Sequence, residues 1–288
     1  MNASAAPGAP NGNHPVAPHG ALSARHVLLA GAIIVMLSVG IRHGFGLWLQ
    51  PVTMERGWNR ETFALALAIQ NIAWGLAGPF AGMAADRWGA LRVLIAGTLL
   101  YALGLVGMAF ASTPLAFHLC AGIAIGVAQA GTTYTIVYGV IARNLAPEQR
   151  SWAMGVTAAT GSFGQFLMVP VESWLIAQFG WQASLWLLGA AVLAIIPAAL
   201  LLREPMHLLQ HGAGASTQTI GEAIREAFRY RSFQLLTAGY FVCGFQVVFI
   251  GVHLPSYLKD HGLPPHVATT ALALIGLFNV FGTYIAGT

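Results

Sequence analysis

The sequence predicts an all-α polytopic membrane protein, because its composition is strongly apolar and its apolar residues form long runs. Hydrophobic residues make up 57% of the 288 residues and charged residues only 8%, whereas a soluble domain carries about 25% charged residues. Apolar stretches of about 20 residues, long enough to cross a hydrocarbon core, recur between short polar breaks. A water-soluble fold of this size is therefore excluded.

The apolar runs predict eight membrane spans. Their approximate bounds are residues 26–50, 62–84, 92–111, 115–141, 152–178, 182–202, 233–256 and 267–287. The first span contains an apolar run from Val27 to Ile41, which has the length of a signal-peptide core. No small-x-small cleavage site closes that run, and apolar residues resume from Gly44 to Leu49 after Arg42 and His43. We interpret it as an uncleaved span.

The spans and their connections divide the chain into four regions. Residues 1–24, nearly chargeless and poor in bulky apolar side chains, form a predicted disordered cytosolic tail. Residues 25–203 form a bundle of six helices. Residues 204–232 are a cytosolic connector, in which an apolar stripe over 219–228 predicts an amphipathic helix on the membrane surface. Residues 233–288 supply the first two helices of a second bundle, so we expect a truncated product or a fragment.

The basic residues predict the orientation in the membrane. With the N-terminus in the cytoplasm, nine arginines lie in cytosolic segments, whereas three basic residues, Arg56, Arg60 and Lys259, lie outside. Reversing the orientation would invert this excess, against the positive-inside rule. We therefore predict a multi-pass protein of the cell membrane with a cytoplasmic N-terminus.

Several functional classes lack the residues that they need. The basic side chains are scattered singly, which argues against nucleic-acid binding. Cys120 and Cys243 both lie in apolar runs, where neither a disulfide framework nor a zinc site can be built from them. The sequence has no phosphate-binding Gly-Lys-Ser/Thr loop, nucleophile elbow or zinc-hydrolase motif. We predict no enzyme activity, no cofactor and no metal, and the expected partners are the lipid bilayer and a small solute.

A motif joins the second and third spans on the cytosolic side. Its residues are Gly82, Asp86, Arg87, Gly89 and Arg92. Asp86 can face a helix N-terminus, and Arg87 and Arg92 can pair with its carboxylate. Gly89 permits a tight turn. The spacing of these residues fits an ordinary cytosolic hairpin and a conformational gate equally well.

The pattern Gly-x-x-x-Asp-Arg-x-Gly in this motif resembles the signature loop of the major facilitator superfamily. Six spans followed by a cytosolic connector is also similar to the plan of those transporters. In the family this loop contacts the opposite half and favours one face of the transport cycle, so the resemblance implies a gating role for Gly82 to Arg92. The chain departs from the pattern at Ala90 and Leu91, where the family often has a basic residue.

A closer resemblance is to the branch that carries monocarboxylates and includes oxalate–formate exchangers. It rests on the segments His43-Gly-Phe-Gly-Leu-Trp-Leu-Gln-Pro51, Gln70-Asn-Ile-Ala-Trp-Gly75 and Leu274-Ile-Gly-Leu-Phe-Asn279, and it covers residues 25–288. The resemblance implies a small carboxylate substrate. His118 stands where the superfamily often has an arginine implicated in proton coupling, which leaves the coupling open. Span five lacks the Gly-Pro-x-x-Gly-Gly run of drug–proton exchangers, which argues against a multidrug exporter.

Arg42 is the main candidate for binding the substrate. An ionisable residue inside a membrane is costly, and is a functional candidate for that reason. At 1.5 Å per residue Arg42 lies about 24 Å into the first span, in the outer half of the bilayer. Facing a cavity, its guanidinium suits a carboxylate. Alternatively, Arg42 reaches the outer interface or pairs with Glu172 near the outer end of span five.

Other polar side chains within the spans complete the predicted binding site, or else hydrogen-bond or pack against neighbouring helices. They are His43, Gln70, Asn71, Gln129, Tyr134, Gln165, Gln246, His253 and Asn279. Either histidine can titrate near physiological pH or serve as a packing residue. His253 shares one helix face with Cys243, Gln246 and Tyr257, which makes it the better candidate for proton coupling.

The sequence thus predicts a secondary active transporter that moves a small, monocarboxylate-like organic anion by alternating access, coupled to protons or to anion exchange. Two alternatives from other classes stay open. One is a non-transporting sensor, scaffold or inactive fragment. The other is a carrier of neutral solutes, which requires Arg42 to pair with Glu172.

Overall fold

The computed structural model describes residues 22–204 and 220–287, and within them the regular structure is helical throughout. The predicted tail, residues 1–24, falls almost wholly outside the described residues. The same holds for residues 205–219 of the predicted connector. The all-α membrane fold is confirmed.

The first predicted span is broken in its C-terminal third. Helix α1 (Ala24–His43) begins after Ser23, whose hydroxyl accepts a hydrogen bond from the backbone amide of His26 at 3.4 Å. The chain turns at Gly44 and Phe45 and continues as α2 (Gly46–Arg56). The break therefore follows directly after the two ionisable residues predicted inside this span.

The second and third spans are α3 (Arg60–Trp88) and α4 (Ala90–Phe110). Asn59 caps α3 by accepting a hydrogen bond from the amide of Thr62 at 3.1 Å. Gly89 makes the turn between them with φ of 89°, a conformation that glycine adopts without steric cost. Because α3 runs on to Trp88, Asp86 lies in the last turn of α3. The sequence suggests that Asp86 can face a helix N-terminus, but Asp86 does not cap the next helix.

The fourth span is irregular. It consists of α5 (Pro114–Phe117), a π-helical segment (His118–Ala124), α6 (Ile125–Thr132) and α7 (Tyr134–Asn144). His118, at the start of the π segment, has Nε2 2.9 Å from the carbonyl oxygen of Thr62. Such π segments are frequent at functional sites.

The fifth and sixth spans run through α8 (Pro147–Val192), and α9 (Ile195–Leu200) follows. At 1.5 Å per residue α8 alone would be about 70 Å long, more than twice the hydrocarbon thickness. Gly180, with φ of 78° and ψ of 168°, interrupts it. Seven helices among the described residues are long and apolar enough to cross a membrane. Dividing the longest at Gly180 gives the eight predicted spans.

The second bundle begins with α11 (Arg231–Asp260) and α12 (Pro265–Gly287), preceded by the short α10 (Ile220–Ala227). Helix α10 lies where the sequence predicts an amphipathic helix. Gly262, with φ of 77°, lies in the turn between α11 and α12.

Helices α1 and α8 pack closely through glycine. A Cβ on Gly40 would lie 2.8 Å from the backbone of Gly164 and 2.9 Å from the side chain of Met168. Both helices run in the same direction, so the contact continues along them towards Gly44. Small residues allow two membrane helices to approach this closely, and the van der Waals packing that results favours their association.

The helices α1 to α9 form the first half of the molecule, and α11 and α12 form the described part of the second half. These two halves meet at one end of the molecule. We call the end that carries the turn at Gly89 the motif end and the other the opposite end. Towards the opposite end, Gln165 Nε2 donates to the carbonyl oxygen of Leu272 at 3.0 Å, and Thr269 Oγ1 donates to Ser173 Oγ at 2.9 Å. Towards the motif end, residues 231–247 of α11 are exposed.

Candidate functional site

Arg42 lies at the end of α1, directly before the break, and its guanidinium turns towards α3. Its Nη2 donates to Oδ1 of Asn71, and its Cζ lies 4.7 Å from the ring centroid of Trp74. Its Nε is buried without a hydrogen-bond partner among the described residues. An aromatic face and one amide hold the cation, which keeps donors for a further acceptor.

Arg42 and His43 line a small cavity at the contact between the two halves. Gln70 and Asn71 line it from α3, and residues 247–252 of α11 close it. The structure thus brings together four of the residues predicted to bind substrate. The cavity volume is about 30 Å³, which is room for about one water molecule. This conformation therefore leaves no room beside Arg42 for an organic anion.

The two amides in this cavity differ in what they can do. Gln70 is buried, and its Nε2 donates to the carbonyl oxygen of Ala121 at 2.7 Å, which ties α3 to the π segment. Asn71 Nδ2 donates to the carbonyl oxygen of Leu67 in its own helix, so its oxygen points to Arg42. Asn71 orients the guanidinium, whereas Gln70 joins two helices.

The fourth span supplies the wall behind Trp74. Trp74 Nε1 donates to Oγ1 of Thr133 at 3.2 Å, and that hydroxyl donates to the carbonyl oxygen of Gln129 at 2.7 Å. Gln129 itself is buried. Tyr134 follows at the break of this span, and its ring lies 5.5 Å from that of Tyr138. Gln129 is thus linked to Trp74 through Thr133, and Tyr134 is the next residue in the chain.

Trp74 was not among the predicted site residues. A signal for it was present, because Trp74 follows Asn71 by three residues and therefore shares its helix face. Only the position of Arg42 shows that this face meets a cation.

Four other predicted site residues lie elsewhere. Gln165 is buried and bonded to the backbone of α12, while Gln246 and Asn279 are exposed. The ring of His253 lies 5.1 Å from that of Phe249 in its own helix.

One face of α11 carries Cys243, Gln246, His253 and Tyr257, and we call it the polar stripe. It faces away from the first span. The face of α11 that meets the first half carries Val248, Val252 and Pro255, whereas Gln246 and His253 lie about half a turn around the helix.

A charged cluster at the motif end is centred on Arg143 of α7. Arg143 Nη1 donates to Asp86 Oδ1 at 2.8 Å, and its Nη2 and Nε donate to the two oxygens of Glu204 at 2.9 and 3.1 Å. Asn144 Nδ2 donates to Glu204 at 2.8 Å. The Glu204 side chain is only 1% exposed, whereas that of Asp86 is 66% exposed.

The pairing of Asp86 with Arg87 or Arg92, which the sequence suggested, is wrong. The last turn of α3 directs Asp86 towards α7, and Arg87 instead lies with its Cζ 5.9 Å from the ring of Trp88.

An ion pair joins the two halves at the opposite end. Arg60, in the first turn of α3, donates to both oxygens of Asp260 at the end of α11, at 2.5 and 2.8 Å. Hydrogen bonds from the Arg60 guanidinium lower the pKa of Asp260, and the same bonds raise the pKa of Arg60. No local sequence pattern signals a pair between residues 200 positions apart.

Arg42 and Glu172 do not form an ion pair among the described residues. Arg42 turns to α3, whereas the Glu172 carboxyl lies against Gly44 on the side of α8. The pair that a carrier of neutral solutes requires is therefore absent from this conformation of the described chain.

Comparisons with known proteins give a consistent family. The model of the Major Facilitator Superfamily matches residues 28–288. Monocarboxylate transporter 11 from Mus musculus is 29% identical over 257 residues, covering 86% of this chain and 55% of the relative. An uncharacterized MFS-type transporter, YcxA, from Bacillus subtilis is 23% identical over 279 residues, covering 91% of this chain and 64% of the relative.

Solved structures show the same fold. The proton:xylose symporter XylE bound to 6-bromo-6-deoxy-D-glucose superposes with a TM-score of 0.65 at 16% identity, over 92% of this chain and 68% of that one. The chain spans about half the length of the first curated relatives that it matches, 55% and 46%.

Proposed function

Because the chain belongs to the Major Facilitator Superfamily, we propose that it carries out secondary active transport of a small, monocarboxylate-like organic anion by alternating access, coupled to protons or to anion exchange. The relatives that share this family are transporters and not enzymes. These relatives favour a monocarboxylate over a sugar, since the monocarboxylate transporters are more similar to this chain in sequence than the xylose symporter is.

The observation that carries this proposal is the state of Arg42. Its guanidinium lies at the contact between the two halves, on the face of Trp74, with no carboxylate paired to it among the described residues. A guanidinium within a membrane span and without a counter-charge is costly. A substrate carboxylate would supply that charge through two parallel hydrogen bonds. Asn71 would turn the guanidinium towards the substrate.

The two ends of the molecule would act as alternating gates. In this conformation the Arg60–Asp260 pair and the contacts of α8 with α12 close the opposite end. The cavity beside Arg42 is correspondingly small. Opening requires these contacts to separate while the halves meet at the motif end, where Gly82 to Arg92 would contact the second half.

The orientation follows from the arginines. The motif end carries most of the arginines, including Arg87, Arg92 and Arg143, so it would face the cytosol in the cell membrane. The opposite end, with Arg60 and Asp260, would face outside.

Transport tests this proposal directly. We would reconstitute the 288-residue chain and a form extended to twelve spans, and measure uptake of radiolabelled small carboxylates with and without a pH gradient. We expect saturable carboxylate uptake by the twelve-span form, with a neutral sugar as the control solute. Uptake of the sugar and of no carboxylate by correctly folded protein would overturn the proposal.

A further inference from the structure

Glu172 on α8 is a buried acid without a partner. Its side chain is 0% exposed, and neither carboxyl oxygen has a hydrogen-bond partner among the described residues. The carboxyl lies against Gly44, at the break in the first span. An ionised carboxylate in such a place costs several kcal/mol, so the surroundings of Glu172 favour the neutral, protonated acid.

The neighbouring ionisable groups do not neutralise it. Those on the helices around this part of α8 are Arg42, His43, Glu55, Arg56, Tyr101, Lys259 and His266. None of them forms an ion pair or hydrogen bond with Glu172 in the described residues. His43 Nδ1 lies 2.7 Å from the carbonyl oxygen of Val39, and Glu55 accepts a hydrogen bond from Trp181 at 2.6 Å.

We propose that Glu172 binds the proton that crosses the membrane together with the carboxylate, an inference that rests on the proposed function. The proton is held as the neutral acid, Glu172–COOH, while Gly44 packs against it. On release, the O–H bond breaks, water takes the proton, and Glu172 becomes a carboxylate.

A cavity at the opposite end lies near this acid. A cavity of about 230 Å³ lies between the two halves there. Gly46 and Ser173 line it, and they lie two residues from Gly44 and next to Glu172, respectively. A shift at the break in the first span would therefore open Glu172 to water from that side.

Arg42 links the proton to the substrate. It lies two residues before Gly44, so after a movement of the break it is the cation available to a deprotonated Glu172. A bound substrate carboxylate occupies Arg42 and leaves Glu172 to be protonated. Substrate and proton are thus carried together. With the Arg42–Glu172 pair formed, the transporter carries neither, whereas this conformation, with Glu172 unpaired among the described residues, is the proton-loaded form that then receives the carboxylate at Arg42.

Accumulation in a pH gradient tests this link. For one proton per monocarboxylate, a gradient of one pH unit supports about tenfold accumulation, because each 1.4 kcal/mol is a factor of ten. In proteoliposomes with the twelve-span form, Glu172→Gln should reduce that accumulation to about onefold while exchange of labelled for unlabelled carboxylate continues. Gln replaces the acid with a neutral group of the same shape. Glu148→Gln, an exposed acid on the same helix, is the matched control and should keep tenfold accumulation.

Other results would overturn the assignment. Unchanged gradient-driven accumulation in Glu172→Gln would do so, and so would its loss in His253→Gln alone. Infrared spectroscopy gives a second readout that needs no transport. The carboxylic-acid C=O band at neutral pH should be lost in Glu172→Gln and kept in Glu148→Gln.

The two readouts separate failure of this inference from failure of the proposed function. If the wild type exchanges no carboxylate, the proposed function is wrong, and the infrared band alone decides whether Glu172 holds a proton. Without such a band in the wild type, the proton site is refuted whatever the transport result.

Discussion

The carboxyl of Glu172 occupies the space that a side chain at Gly44 would need. A methyl group added at Gly44 would overlap Oε2 of Glu172. A side chain at position 44 would therefore have to displace the Glu172 carboxyl from its buried position. The two residues fix how closely the break in the first span approaches the fifth span.

Substitution at this contact should therefore destabilise the protein. We expect Gly44→Ala to lower the free energy of unfolding by about 1–3 kcal/mol, because it overfills a packed contact. Glu172→Ala should partly relieve that loss, so the double variant should be more stable than the sum of the two single changes predicts. Thermal unfolding in detergent measures both. Gly78→Ala is the control, because a Cβ there has no heavy atom within 4 Å, and strictly additive losses would contradict this packing.

Arg42 should govern affinity for the carboxylate. Arg42→Ala removes charge-assisted hydrogen bonds of about 1.5–3 kcal/mol, so we expect the KM for uptake to rise about 10- to 100-fold. Arg42→Lys keeps the charge but loses the planar fork, so its KM should lie between those of the wild type and Arg42→Ala. The measurement is the concentration dependence of uptake in proteoliposomes. Arg25→Lys, exposed at the start of the same helix, should behave as wild type; equal KM values for all three Arg42 forms would rule out contact with substrate.

In the charged cluster at the motif end, the Arg143–Glu204 pair should contribute more to the free energy of unfolding than the Arg143–Asp86 pair. Arg143→Met leaves Glu204 buried without its cation, and should cost about 3–5 kcal/mol. Asp86→Asn removes a largely exposed partner and should cost less than about 1 kcal/mol. Adding Glu204→Gln to Arg143→Met should restore much of the stability. Chemical unfolding measures these differences, and equal losses for Asp86→Asn and Arg143→Met would show that burial of Glu204 does not decide them.

The ion pair at the opposite end should respond to acid. The pKa of Asp260 is lowered by Arg60, so the pair is complete above the ordinary pKa of an aspartate and is lost as the pH falls through the lowered value. Acidification should therefore open the opposite end, and Asp260→Asn should open it at neutral pH.

Thiol labelling measures this opening. The reporter is Gln50→Cys, which lines the cavity at the opposite end, in a background with Cys120→Ser and Cys243→Ser. Labelling should rise in Asp260→Asn, and the exchange Arg60→Asp with Asp260→Arg should restore protection. Glu61→Gln, next to Arg60 and exposed, should leave labelling unchanged. Protection that is independent of pH and of Asp260 would show that helix packing alone closes this end.

Part of the candidate site could be predicted from the sequence. Arg42 and Asn71 are conspicuous because polar groups are rare within apolar spans, and the structure places them in contact. Trp74 could have been inferred from its spacing to Asn71. Gln246 and His253 form an equally clear stripe, yet that stripe faces away from the first half. Hydropathy cannot give the rotation of a membrane helix, because lipid and protein interior are similarly apolar.

The helical membrane fold, the approximate number and bounds of the spans, the motif and the family were predictable from the sequence, because span length, apolarity and local glycine patterns are properties of short segments. The tertiary structure alone decided which charges meet. Arg143 forms ion pairs with Asp86 and Glu204, and Arg60 forms one with Asp260. The Glu172 carboxyl lies against Gly44 instead. These outcomes depend on how helices that are distant in sequence pack and rotate against one another, and pairwise contacts of that kind leave no local pattern in the chain.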